Sequence, residues 1–242
     1  MSLKYRTRGF VFKKNERAES DQAFSVFTKD FGRLEITARA VRKITSKLRR
    51  DFDIFYLSEV EFIQGKNNKT LTDAVKIKKF NDTVKDLKSL KTICQIADVL
   101  DSFIKGQEKD EAIFYLLEET LNNLSANASK IKNQQLLFQY FFWNFLSSQG
   151  YKLEANNCAI CRAKLNPYNV YFSNKEGGVV CKKCSLLDKN AQKINSDIVK
   201  ILRLIFSKDW NTISKLKVQP ASQKLLESVY ESAVMAFCPV HC

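Results

Sequence analysis

RLEITARAVRKITSKLRR, residues 33–50, is the stretch from which the fold is read. In its first half Leu34, Ile36 and Ala38 alternate with Arg33, Glu35, Thr37 and Arg39. That period of two puts apolar side chains on one face of a strand and polar ones on the other. In its second half Arg42, Lys43, Lys47, Arg49 and Arg50 gather within residues 42–50 without a single acid. A half-buried strand running into a cationic connection predicts a sheet with a core behind it and a polyanion contact at its loops.

The flanking sequence repeats the pattern. Gly9–Lys13, Ala23–Thr28, Asp51–Ile63 and Thr70–Lys78 are further β-like segments, separated by polar, charged or glycine-containing breaks. Five short strands before residue 81 predict a small closed barrel of the OB type, a nucleic-acid-binding domain over residues 1–80. Phe10, Phe12, Phe24, Phe52 and Phe62 take alternating positions in these strands, so they are expected in the core and not as base-stacking platforms.

From residue 81 the period changes to 3.6. Val84, Leu87, Leu90, Ile93, Cys94, Ala97, Leu100 and Ile104 form one apolar stripe, with Cys94 read as core. Ala112–Leu124 follows behind the acids Asp110 and Glu111, which suit a helix start. Leu136–Leu146 is apolar nearly all round and is expected at the centre of a helical bundle. Gln139 and Asn144 interrupt it, and it is well short of the roughly 20 residues a bilayer requires. Ser196 and Asp197 are expected to cap a helix through Phe206, and Ala221–Phe237 to form a last helix after Pro220. The class is therefore α+β multidomain, with an α-helical domain over residues 81–242.

Inserted in the helical part, over residues 155–188, is a cysteine module. Cys158 and Cys161 precede Cys181 and Cys184 by a gap of nineteen residues. Two Cys-x-x-Cys knuckles at that separation can wrap one Zn2+ with four thiolates, which closes the coordination sphere and makes the metal structural. A single knuckle reads equally as a redox pair or a coincidence; two joined by a hairpin-like segment favour zinc. The opening MSLKYRTRGF carries charges where a secretory leader needs an apolar core, so a reducing cytoplasmic setting without disulfides is expected. Arg162 and Ser185 stand where such knuckles often place Gly, and Gly177 and Gly178 lie in the hairpin ahead of Cys181. Cys238, His241 and Cys242 at the end of the chain also have ligand chemistry, although a chain end more often frays than binds.

The net charge is +14, distributed as +9 over residues 1–80, −2 over 81–150 and +7 over 151–242. Two basic segments flanking a near-neutral one point to a nucleic acid, because each cation placed on a phosphate releases a condensed counterion. Weak attraction to an anionic membrane surface is the blander reading. Arg33, Arg39, Arg42, Lys43, Lys47, Arg49 and Arg50 are the candidate DNA contacts, with Lys182 and Lys183 in the second knuckle as a second region. No phosphate-binding loop, His-Glu-x-x-His or Gly-x-Ser-x-Gly motif is present, and Asp98 with Asp101, like Glu118 with Glu119, reads as a solvated helix face before it reads as a nuclease metal pair. No enzymatic activity is expected.

With these pieces placed, the chain resembles the RecO family of bacterial recombination and repair proteins. The likeness is carried by GFVFKKNERAESDQAFSVFTKDFGRLEITARAVRKITSKLR (9–49), DFDIFYLSEVEFIQG (51–65), LFQYFFWNFLSSQGYKLEANNCAIC (137–161) and FSNKEGGVVCKKC (172–184), and it covers most of residues 3–190. Glu19-Ser20-Asp21, Thr28 with Gly32, Gly150-Tyr151 and the run Gly177 to Cys181 occur in order and at family-like spacing. The resemblance implies an OB domain, a helical domain and a zinc module without catalysis. It further implies a cytoplasmic, nucleoid-associated protein that binds single- and double-stranded DNA, anneals strands and, with RecR, helps load RecA on DNA coated by single-stranded DNA-binding protein. Val41 departs from the family, which has Gly there, and the likeness weakens beyond residue 210. Two other functions suit the same residues: an adaptor recruited by the acidic, Phe-ended tail of single-stranded DNA-binding protein, and a zinc-containing OB-fold protein acting on RNA.

Overall fold

The computed structural model describes residues 3–17, 19–43, 46–66, 68–80, 87–126, 134–166 and 168–238. It divides into two compact units, Met1–Ala128 and Ser129–Cys242. In the first, β1 (Lys4–Glu16), β2 (Gln22–Thr28), β3 (Gly32–Ala38), β4 (Tyr56–Gln64) and β5 (Lys69–Lys79) close a barrel in the order β1-β2-β3-β5-β4. All pairings are antiparallel except that of β3 with β5. This is the Greek-key order of an OB fold. The long β1 serves both sides of the closure, pairing with β4 through residues 4–10 and with β2 through 9–16, and a register shift between Val11 and Lys13 lets it bend.

Alternation does its expected work inside the barrel. Val11, Phe24, Val26, Leu34, Ile36, Val60, Phe62 and Leu71 fill the interior, with Phe52 edge-on against Phe24 at 4.8 Å between ring centroids. Val41 drops into this core as well; the preceding Ala40 takes the left-handed turn at φ 52°. The expected strand from Asp51 is two elements. A helical turn, α1 (Leu48–Asp51), comes first, and β4 begins only after Phe55, whose φ of 64° reverses the chain while its N–H bonds to the Val11 carbonyl.

The outer wall of the barrel is not wholly wet. Phe10, Phe27 and Leu57 point away from the interior yet are buried, because α3 (Glu111–Ala126) lays Phe114, Leu117 and Leu121 over them. Asp110 opens that helix by accepting from the Ile113 N–H at 2.9 Å. The preceding helix, α2 (Leu87–Phe103), is held by Arg33. Both helices thus pack in the barrel's own unit, although the sequence pattern changes at residue 81.

Arg33 was expected on a solvated, DNA-facing side of β3, and the structure corrects this. Its Nε and one Nη2 hydrogen reach Glu35 Oε1 at 3.2 and 3.1 Å, and the other Nη2 hydrogen reaches Asp101 Oδ1 at 2.8 Å. Nη1 donates to the carbonyls of Asp101 and Ile104 at 3.0 and 2.9 Å, and the guanidinium lies 5.2 Å from the centre of the Phe12 ring. All five of its donors are used, with only 16% of the side chain exposed. The strand's period shows which side of the wall Arg33 is on; it says nothing of the helix that covers that side.

In the second unit, α4 (Gln134–Ser148) is buried throughout Leu136–Leu146. Phe138 and Phe142 meet Tyr230 edge-on at 4.9 and 4.7 Å, and Trp143 meets Phe172 at 5.3 Å. Of the two polar interruptions, Gln139 accepts from Trp143 Nε1 at 2.9 Å while its buried Nε2 has no partner among the described residues, and Asn144 donates to the carbonyls of Tyr140 and Ile205. Around it stand β6 (Val170–Ser173), β7 (Gly178–Cys181), the turn α5 (Lys182–Ser185), β8 (Gln192–Ile194), α6 (Ser196–Phe206), α7 (Trp210–Ile213) and α8 (Pro220–Phe237), with sheet order β7-β6-β8. The cap of α6 is Asn195, whose side chain accepts from the Ile198 N–H, in place of the expected Ser196 and Asp197. Pro220 opens α8 as expected. No helix among the described residues is long and apolar enough to cross a membrane.

Asp101 supplies a pH test of the Arg33 clamp. Burial works to raise its carboxyl pKa, but hydrogen bonds from Lys13 and Arg33 outweigh burial and hold it below the ordinary carboxylate range. A depressed folded-state pKa adds stability above the unfolded value of about 3.9, which is lost as pH falls through the folded value. Arg33→Ala is expected to lower the protection of amides in β3 and the last turn of α2 by about 2 kcal/mol at neutral pH, since charge-assisted hydrogen bonds are lost. In hydrogen exchange, that difference from wild type should narrow below about pH 4.

Candidate metal centre and nucleic-acid interface

The two knuckles meet. Sγ atoms of Cys158, Cys161, Cys181 and Cys184 all lie within 4.8 Å of one another, and those of Cys161 and Cys181 are 3.9 Å apart. Sulfurs on a tetrahedral zinc at a Zn–S distance of about 2.3 Å stand about 3.8 Å apart, so the donor set fits such an ion. The β6–β7 hairpin brings Cys181 into place, with Val170 paired to Cys181 and Ser173 to Gly178.

Glycine is required at the hairpin tip. Gly177 adopts φ 66°, and a Cβ on it would drive into the carbonyl oxygen of Lys152. A Cβ on Gly178 would meet the Glu154 carbonyl in the same way. This close approach lets the strand leading to the first knuckle bond to the hairpin, through Glu154 N–H to Gly177 at 3.0 Å and Val179 N–H to Glu154 at 2.7 Å. The first knuckle takes its left-handed turn at Arg162, φ 61°, despite the Cβ; the second needs none, because Ser185 ends the helical turn α5.

The sulfurs are not equivalent. Burial disfavours ionisation of Cys158, yet backbone N–H groups of Cys181, Cys161 and Ile160 converge on it and bring its thiol down to about 6. The Cys181 N–H lies 3.4 Å from that sulfur. Cys184 is pushed up to about 12, first by burial and then by the neighbouring sulfurs of Cys181, Cys161 and Cys158. Four thiols this crowded ionise together only when a cation shares their charge, which is the chemistry of a metal centre.

Two supports had no signal in the sequence pattern. Arg203 on α6 donates to the carbonyls of Ala155 at 2.8 Å and Asn156 at 3.3 Å, tying the entry of the first knuckle to the helix. Glu154 accepts from the N–H groups of Asn156 and Asn157 and pairs with Arg162 at 3.4 Å. Cys94 sits partly buried on α2, its thiol raised by burial and then by Asp98. Of the terminal trio, Cys238 is buried, while His241 and Cys242 lie outside the described residues.

Arg33 apart, the candidate cations of the first unit lie at the exit of β3 and on the connection that follows it, whose α1 turn is tied to β4 and β5 by Ser58 Oγ on the Asp51 carbonyl at 2.8 Å and Lys76 Nζ on the Arg50 carbonyl at 3.3 Å. Arg39, Arg42 and Lys43 leave β3 exposed, and Lys47, Arg49 and Arg50 lie exposed on or beside α1. Ile44 and Thr45 between them lie outside the described residues. The β1–β2 connection clasps the start of this loop: Arg42 N–H bonds to the Ser20 carbonyl at 3.2 Å and Ala40 N–H to Asp21 Oδ1 at 2.8 Å. Strand register adds cations not singled out from sequence. Gln22 opposes Ala38, Ile36 opposes Lys69 and Gln64 opposes Lys69, so exposed Arg17 and Lys66 and half-buried Lys69 share the end with Arg39 and Arg42. Acids offset few of these charges: Glu16 meets Arg42 at 3.4 Å in an exposed pair, and Asp51, itself mostly covered, meets the exposed Arg50 at 3.5 Å. Lys182 and Lys183 are exposed on α5.

The chain thus pairs an OB-type barrel with a basic loop end and, joined to it in sequence, a helical unit carrying a four-cysteine cluster that could hold a metal ion. Comparison with known proteins makes this specific. The model of the recombination protein O N-terminal domain matches residues 1–80, and that of the recombination protein O C-terminal domain matches residues 85–234. The chain is 31% identical over 217 residues to the DNA repair protein RecO of Dehalococcoides mccartyi strain CBDB1, covering 88% of this chain and 83% of that protein. It is 24% identical over 237 residues to the DNA repair protein RecO of Halalkalibacterium halodurans, covering 98% and 91%. The chain belongs to the RecO family of DNA repair and recombination proteins.

Metal analysis of purified, reduced protein should give one ion per chain. Changing Cys158 and Cys181 together to Ser should release it and unfold the module, since metal binding and folding are coupled; retention of the ion by that variant would contradict the site.

Proposed function

We propose that this protein is a non-enzymatic DNA-binding mediator of recombinational repair. The observation that carries the reading is the gathering of Arg17, Arg39, Arg42, Lys43, Lys66 and Lys69 at one barrel end, with Lys47, Arg49 and Arg50 exposed further along the connection that leaves it. Loops β1–β2 and β4–β5 and the neighbouring wall are where an OB barrel takes an oligonucleotide. Among the described residues of the barrel no aromatic ring stands exposed, since Phe10, Phe12, Phe24, Phe52 and Phe62 are all buried. Contact therefore runs through charge on phosphates, without base sequence, and suits single and double strands alike.

Cations placed on two strands at once lower the repulsion that slows annealing. Zn2+ is the ion that suits four thiolates without an open position, and it acts as a structural staple. Membership of the family supports, as part of this reading, a role with RecR in loading RecA on DNA coated by single-stranded DNA-binding protein.

A second reading, that of an adaptor, is favoured by a cleft of about 600 Å³ in the second unit between α6 and the segment leading to α8. Ile201, Leu204, Leu216 and Val218 give it an apolar floor, and Lys200, Arg203 and Lys217 a rim of net positive charge, with Asp197 3.6 Å from Lys200. That chemistry suits an acidic peptide with an apolar end, such as the tail of single-stranded DNA-binding protein.

A salt titration separates the two. Changing Arg42, Lys43, Arg49 and Arg50 to Ala should weaken binding to all sequences alike and flatten the salt slope on single strands by about three units. An unchanged slope would remove the barrel end from the interface. The same variant should bind an acidic, Phe-ended peptide as the wild type does.

A further inference from the structure

In the cysteine module, exposed apolar side chains stand beside lysines that pair with no acid among the described residues. Leu186 and Leu187, next to each other just past the second knuckle, are 83% and 69% exposed. The frame behind them is held: Leu187 N–H bonds to the Cys184 carbonyl at 3.0 Å, and Cys184 itself is buried. The two leucines are thus presented from a fixed turn. Lys182 and Lys183 stand exposed on the turn immediately before them.

The charges around this tip are uneven. Residues 155–190 carry six Lys and Arg against two acids, a balance of +4, which exceeds the −2 of four thiolates around a divalent ion. The acid nearest in sequence is engaged elsewhere: Asp188 accepts from Ser173 Oγ at 2.6 Å and from the Asn190 N–H at 2.9 Å. Two leucines offer far less than the roughly 800 Å² per partner of an ordinary protein interface. Small apolar side chains flanked by cations are, however, what wedges base steps apart in bent or opened DNA.

We propose that Leu186 and Leu187 form an apolar wedge that enters between base steps at a junction of single- and double-stranded DNA, with Lys182 and Lys183 on the flanking phosphates. This rests on the DNA-binding reading above and gives it a division of labour. The barrel end holds backbone by charge, and the tip of the cysteine module unstacks bases where strands separate or join.

The test uses the full-length, metal-loaded protein and a forked duplex with 2-aminopurine at the first paired step. Wild type should raise the fluorescence severalfold. Leu186→Ala with Leu187→Ala should abolish the rise and weaken fork binding about tenfold with its salt slope unchanged, while the paired Leu→Met variant keeps the signal. Lys182→Ala with Lys183→Ala should instead flatten the slope by about two units. A Leu→Ala variant that unstacks the fork as wild type does overturns the wedge, as does one with unchanged fork binding that has lost capture of RecR, since the tip would then serve a protein. Wild type that binds no DNA even at low salt overturns the DNA-binding reading itself.

Discussion

The clamp of Arg33 on the end of α2 decides what the barrel can present. Its guanidinium donates to Glu35, to the Asp101 carboxylate and to two helix-terminal carbonyls, so the wall formed there by β3 is covered. A cation at a helix C-terminus is favoured by the helix dipole as well as by its hydrogen bonds. On a neighbouring part of the wall, Phe114 and Leu117 bury Phe10 and Phe27. With these parts of the wall occupied, the exposed cations that remain together are at the loop end. The same contacts that stabilise the first unit therefore narrow where DNA can lie.

The second unit has a corresponding constraint in its four sulfurs. Burial and then their mutual proximity raise the Cys184 thiol while N–H groups lower that of Cys158, a conflict that a shared cation would resolve. The Gly177-Gly178 tip, Arg203 on the Ala155 and Asn156 carbonyls and Trp143 behind Phe172 hold the hairpin and its entry strand. Glycine, arginine and aromatic packing act on one small element, and its outer tip carries the Lys and Leu residues that remain unpartnered by acids among the described residues.

Much of this was legible in the sequence, for identifiable reasons. Leu34, Ile36 and Ala38 alternate because one side of β3 faces a barrel interior, and the cysteine spacing is readable because two Cys-x-x-Cys knuckles can supply the four corners of one tetrahedral site. Arg33 misled because a period of two distinguishes the faces of a strand without naming what covers the outer one. Asn195 was passed over in favour of Ser196 and Asp197, all good capping residues, because only the backbone decides which of three adjacent candidates precedes the first turn. Lys66 and Lys69 carry no local signal; strand pairing brings them beside Arg39 and Arg42. Arg203 lies 45 residues from Cys158 in the chain, beyond the reach of any motif.

The central claim is that DNA lies across the loop end of the barrel. It is tested most directly by hydrogen exchange of the metal-loaded protein with and without a single-stranded oligonucleotide. New protection is expected over residues 17–21, 39–50 and 64–69, and diminishing protection there as salt is raised. Protection that leaves those segments unchanged and appears instead along the α2-covered wall or on α8 would contradict the account.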